Sequence, residues 1–241
     1  MLERASHVPP GRSTVTRYLR WATGLVLVGL SYPVQRVPLY RRNQQPDTEA
    51  ESPAPDRELP GDPDTVQRST DGVGPLFHRH YHLTLADTEL SPEELIAAIA
   101  GEPQRVAPRS LASFETFDGD TVDRLEVGDE LLVRLPGPWD GPVRVIERTP
   151  TSFRFVTLRG HMEAGEIEFR AGIESRGFLR FEIESWARSA SRVFAWLYET
   201  VPVGREMQLH MWSQFCANAA RIAGGVRMSN VVSTTRTIET P

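Results

Sequence analysis

Lysine is absent. All 27 basic residues of this 241-residue chain are arginine. That excludes a Schiff-base lysine and a phosphate-loop lysine. Arginine stays protonated near neutrality, so it is also a poor general base. Cysteine is nearly absent, with Cys216 alone. No intramolecular disulfide or multi-cysteine zinc site can form, and a lone thiol suits a reducing, cytoplasmic setting. Cys216 falls in an apolar helical pattern, WSQFCANAARIA, where a thiol is ordinarily packing. There is no Gly-x-Ser-x-Gly elbow and no Gly-x-Gly-x-x-Gly loop. No motif asks for a cofactor. The net charge of −5 calls for no nucleic-acid partner. Hydrophobic content is 39 %, low for a chain packed from end to end, so part of it lies outside any core.

Long apolar runs are scarce too. The main one is WATGLVLVGLSYPV, residues 21–34, flanked by Arg17, Arg20, Arg36, Arg41 and Arg42. A spanning helix needs about 20 apolar residues, so this run is short. Three readings of residues 1–42 stay open: membrane attachment through residues 17–42, a helix packed on protein, or a cleaved signal. Residues 43–75 are rich in proline and acid and nearly free of apolar side chains, which predicts an extended linker. The folded domain is expected over 76–225, with a loose tail over 226–241.

Within the domain, FHRHYHLTL (77–85) alternates as a strand does. SPEELIAAIAGEP announces a helix, with Ser91 as N-cap, Pro92 first inside, Glu94 three after the cap and Gly101 at the stop. Further strands are expected at 111–117, 128–135, 143–149, 152–159, 165–172 and 177–186. In the last, Leu179, Phe181 and Ile183 face one way and Arg180, Glu182 and Glu184 the other. The sheet therefore has one apolar and one charged face. A helical stripe over about 189–223, interrupted near Pro202 and Gly204, is the element left to cover the apolar face. The order predicts an α+β fold: a curved antiparallel sheet of about seven strands wrapped on a long C-terminal helix, leaving an apolar cavity for a small molecule.

That order resembles the helix-grip fold of the START and Bet v 1 superfamily. The stretches EVGDELLVRL, VRVIERTPTSFRFVTLRGHMEAGEIEFR and FEIESWARSASR are similar to a bacterial and plant family, domain of unknown function 1990. The resemblance spans roughly 76–224. The family's residue after Gly-His is proline, and here it is Met162, so the turn differs in shape. The resemblance implies a fold and carries over no catalytic residue.

Candidate site residues follow from the pattern. TLRGHMEAGEIEFR places His161 and Glu163 in the loop between two strands. A structural hairpin is the favoured reading, because two loop ligands do not complete a zinc site. The functional one is a polar pair at a cavity mouth, orienting a ligand or moving a proton. His78, His80 and His82 share the strand face opposite Tyr81, Leu83 and Leu85, so they belong to the solvated side, and no metal site is expected. His210 groups with Glu206, Gln214 and Arg221, away from the helical stripe. Phe155, Phe169, Phe181, Trp186, Trp196, Tyr198, Met211, Trp212 and Phe215 are the candidates to line the cavity. The leading expectation is noncatalytic binding of an apolar or amphipathic small molecule. A cyclase- or hydrolase-like enzyme using His161 or Glu163 is the alternative, and an interaction protein with a filled core the third.

Overall fold

The computed structural model describes residues 39–44, 59–108, 112–135, 140–200 and 203–238, without the side chains of 39–44, 197–200 and 203–207. Strands are β1 (Leu39–Gln44), β2 (Val73–Ala86), β3 (Ser113–Glu115), β4 (Glu130–Arg134), β5 (Gly141–Arg148), β6 (Ser152–Thr157), β7 (Glu163–Ile173), β8 (Leu179–Ser189), β9 (Val226–Arg227) and β10 (Val231–Ile238). Helices are α1 (Pro92–Gly101), α2 (Arg192–Thr200) and α3 (Val203–Ala223). All strands join one sheet in the order β1-β10-β2-β8-β7-β6-β5-β4-β3, with β9 also on β2. Every pairing is antiparallel except β1 with β10.

Local chemistry accounts for the elements. Ser91 Oγ accepts from the Glu94 N–H at 3.2 Å, and the Glu94 carboxylate accepts from the Ser91 N–H at 2.8 Å. This reciprocal cap starts α1, and Pro92 costs nothing where no helical N–H is needed. The apolar face of the sheet carries Tyr81, Leu83 and Leu85 from β2, Phe153 and Phe155 from β6, Phe169 from β7, and Phe181 and Ile183 from β8, all buried. α3 lies across it, against β2, β8 and β10. α1 packs beside α3 and over β6 and β7, so two helices share the cover assigned from sequence to one. Each buried phenylalanine contributes roughly 1.5–3 kcal/mol by leaving water.

Two boundaries differ from the sequence reading. The tail beyond Gly225 is not loose. VVSTTRTI is rich in β-branched residues, and as β10 it pairs with β2 from Val232↔His82 to Ile238↔Leu76. Val231 and Ser233 are buried there. The second difference is at the other end. Residues 59–72, read as linker, lie on the outer face of β5–β7. Arg144, buried on β5, explains why. Its guanidinium donates to Pro60 O at 3.0 Å, to Asp62 O at 3.1 Å and to Thr65 Oγ1 at 2.6 Å, and it pairs with Glu130. Val66 then closes a second small core with Ile146, Val156 and Leu158. The sheet also reaches back to β1, inside the expected N-terminal segment. The run 21–34 and residues 45–58 lie outside the described residues. Among the described residues, no helix is long and apolar enough to cross a membrane.

Candidate functional site

Strand register orders the inner face into rows. Tyr81, Ile183, Phe169 and Phe153 are successive neighbours in one row. The next row holds Arg79, Ser185, Ile167 and Phe155. The third holds Phe77, Ala187 and Gly165. The face thus turns from apolar to polar along the strands, toward Glu163 at the start of β7.

Glu163 lies in a strand, not in the connecting loop, and alternation puts it on the inner side with Ile167 and Phe169. Its Oε1 meets Arg79 Nη2 at 3.1 Å. Its Oε2 accepts from Gln208 Nε2 on α3 at 3.0 Å. Arg79 is 3 % exposed and also lies over the Phe77 ring at 5.0 Å. From below, Gln67 Nε2 donates to His161 O at 3.0 Å and to Glu163 O at 2.8 Å, tying the residues 59–72 to this hairpin. Sequence reasoning missed Arg79, Ser185, Gln67 and Gln208. Arg79 was readable, since it shares parity with Tyr81; the others needed the register.

His161 does not pair with the Glu163 carboxylate. Its ring packs on Gly141, where a Cβ would come within 3.0 Å of Nε2. The Glu163 N–H approaches Nδ1 at 2.9 Å, as donor to a neutral ring. Burial pushes the His161 pKa down, outweighing the upward pull of Glu163. The two residues are therefore brought together by backbone, and Gly165 tightens the same corner. It has φ 154°, and a Cβ there would fall 2.0 Å from Trp186 O.

Among the cavity candidates, Phe155, Phe169, Phe181, Met211 and Phe215 are buried in the main core, with Trp212 half-buried against it. The rings touch one another: Phe153 stacks on Phe169 at 4.7 Å, and Phe169 meets Phe215 at 5.0 Å and Trp212 at 5.6 Å. Three candidates do not belong to this set. Trp186 sits on the outer face, stacked on His78 at 5.1 Å with Arg154 over it at 5.8 Å, because even-numbered β8 residues point outward. Trp196 on α2 is 62 % exposed. The Tyr198 side chain lies outside the described residues. A cavity of about 640 Å³ opens elsewhere, between α1 and the β5–β6 turn, lined by Ile96, Arg124, Glu126, Val127 and Arg148. Arg124 and Arg148 there are both engaged, the first with Glu126 at 2.6 Å and the second with Leu125 O at 2.7 Å.

The outer face is a lattice of ion pairs. Arg154 meets Glu168 at 2.9 Å, and Arg170 meets Glu182 at 2.7 Å. His78 contacts Glu184 at 2.7 Å, and His80 contacts Glu182 at 2.8 Å. The histidines are on the face opposite Tyr81, as alternation predicts, yet His78 is buried by this lattice and by Trp186. Burial would raise the Glu182 carboxyl, but the His80 hydrogen bond and Arg170 outweigh it and hold it at about 2. Burial, with Arg180 and His80 nearby, pushes His82 down to about 4. Among the described residues no three His, Cys, Asp or Glu side chains are placed to hold a metal. Cys216 is buried, and burial pushes its thiol pKa far up. His210 is half-buried, and burial pushes its pKa down.

A curved, almost wholly antiparallel sheet with the long helix α3 across its apolar face defines an α+β, helix-grip domain. Residues 105–218 match the family model described as Domain of unknown function (DUF1990). No curated protein matches the sequence. Solved structures with similar folds include norcoclaurine synthase of Thalictrum flavum, as a point mutant with a transition-state analogue. It is 11 % identical, with a TM-score of 0.41, over 62 % of this chain and 98 % of that one. Major latex-like protein 151 of Panax ginseng is 11 % identical, with a TM-score of 0.40, over 61 % and 99 %. A protein from Arthrobacter aurescens is 15 % identical, with a TM-score of 0.41, over 61 % and 88 %. At these TM-scores the likenesses assign nothing to any residue, and the class rests on the strand order and helix placement above.

Proposed function

We propose that the domain is a noncatalytic binding module for an apolar or amphipathic small molecule, held between the inner face of the sheet and α3. One observation carries the reading. Where the inner face turns polar, half-buried side chains surround buried polar ones, and the apolar packing is looser than in the rows beyond. Ile167, Phe77 and Gln208 are half-buried beside the Arg79–Glu163 pair, and Trp212 is half-buried against Phe169, whereas Phe169 and Ile183 themselves are fully buried. An apolar floor ending in a few convergent polar groups is the usual make-up of a small-molecule site. Catalysis by His161 or Glu163 has less support. Both Glu163 oxygens are engaged, and His161 Nδ1 is held by backbone. Membrane attachment through residues 17–42 is part of the same proposal, supported by the arginine-flanked run at 21–34.

A ligand that binds only the native state raises the melting temperature. A panel of lipids, isoprenoids and aromatic polyketides therefore tests the reading, and at least one class should shift the purified protein upward. The contact of Phe153, Phe169 and Phe215 favours a second reading, an interaction protein with a filled core and a partner on the Arg–Glu–His face. A panel that moves nothing supports that reading and removes the first.

A further inference from the structure

We propose that the molecule bound between sheet and α3 is uncharged and carries a hydrogen-bond acceptor, such as a ketone, ester or ether oxygen, recognised by Ser185 and Trp212. This rests on the binding reading above and narrows it to a ligand class. Along β8 the inner-face residues run Leu179, Phe181, Ile183 and then Ser185, between Arg79 on β2 and Ile167 on β7. Ser185 is 6 % exposed, and its Oγ is sealed with no hydrogen-bond partner in the protein. The Trp212 Nε1 is in the same condition, on a helix whose ring meets Phe169 at 5.6 Å. Buried polar groups are nearly always satisfied, so Ser185 on the inner face and Trp212 against Phe169 in the neighbouring row both need a reason.

Both groups donate; an indole N–H can do nothing else. The neighbouring charges are already matched. Arg79 meets Glu163 at 3.1 Å, and the second Glu163 oxygen takes the Gln208 amide at 3.0 Å. A carboxylate or an ammonium would add an uncompensated charge to a neutral, buried cluster. A neutral acceptor would satisfy the donors and add none. The skeleton then lies over Ile167 toward Phe169, with its oxygen at the Ser185 end. Because both donor atoms are sealed, binding must part α3 from β8.

The test is titration calorimetry with a 2-ketone, a carboxylate, a primary amine and an alkane of one chain length, on the full chain and on Ser185→Ala and Trp212→Phe. The ketone should bind about tenfold tighter than the other three. Each variant should lose most of that preference, so that ketone and alkane bind it within about twofold of each other. Ser185→Ala should also melt no lower than the parent without ligand, which separates recognition from folding. A carboxylate or amine bound tightest overturns the inference. So does equal binding of ketone and alkane, although the binding reading then stands. If no probe binds, the binding reading falls and takes this one with it.

Discussion

Arg79 on β2 and Glu163 on β7 meet at 3.1 Å across the width of β8, on the side of the sheet that faces the helices. A guanidinium buried this deeply depends on its partner. Glu163→Ala should cost about 3 kcal/mol, as breaking a buried pair from one side does. At this chain length that is a fall of roughly 6–12 °C in melting temperature. The double change Arg79→Met with Glu163→Leu should recover most of the loss, since an apolar pair leaves no stranded charge. Urea melts of the single and double variants check this; equal instability in both would show that the pair is not what matters.

Gly165 is the tightest point of the β7–β8 pairing. An alanine methyl there has no room beside Trp186 O. Gly165→Ala should therefore cost more than about 4 kcal/mol and give little soluble protein. Gly172→Ala, on the same strand with nothing within 4 Å of its Cβ position, is the matched control and should fold.

The buried Arg144 predicts how the segment before β2 behaves. Arg144→Ala removes the donor to Pro60, Asp62 and Thr65. Amide exchange over residues 59–66 should rise by at least an order of magnitude, with β8 still protected. Unchanged protection would mean that Val66 and Gln67 hold the segment without it.

Much of this was legible in the sequence, and the failures have physical reasons. Period-2 alternation identified β7 and β8 and put the histidines opposite Tyr81. The capping residues located α1. Trp186 was misplaced because it was grouped with other aromatics; counting from Ile183 would have sent it outward. Residues 59–72 read as linker because proline and acid dominate them, and composition does not reveal that Arg144, far along the chain, needs their carbonyls. β10 was passed over because a tail without a helical stripe was taken for one without structure. The polar row at Arg79, Ser185 and Glu163 needed the register of three strands, which no single strand encodes.

The tail follows from that correction. Removing residues 231–241 should unfold the domain, because β2 would lose its β10 neighbour and Val231 its burial. Circular dichroism of the truncated chain should show lost β signal and no cooperative melt. A truncated chain that melts like the parent would return the tail to the status of an appendage.

Acid should weaken the fold in two overlapping stages. His82 falls from its ordinary 6.5 to about 4, so the folded state keeps it neutral while the unfolded chain protonates. Its contribution is complete above about 6.5 and is lost as the pH falls toward 4. Glu182 is held at about 2 against an ordinary 4.5, so its contribution is complete above 4.5 and is lost toward 2. Melting temperature should therefore decline from mildly acidic pH downward. His82→Gln should flatten the upper stage only, and Glu182→Gln the lower.

The most direct test of the central claim is native mass spectrometry of the protein purified from its own host. The account predicts a bound species heavier than the bare chain by one neutral small molecule, released on denaturation and diminished in Trp212→Phe. A spectrum holding the bare chain alone, from protein whose melting temperature no ligand class raises, would contradict it.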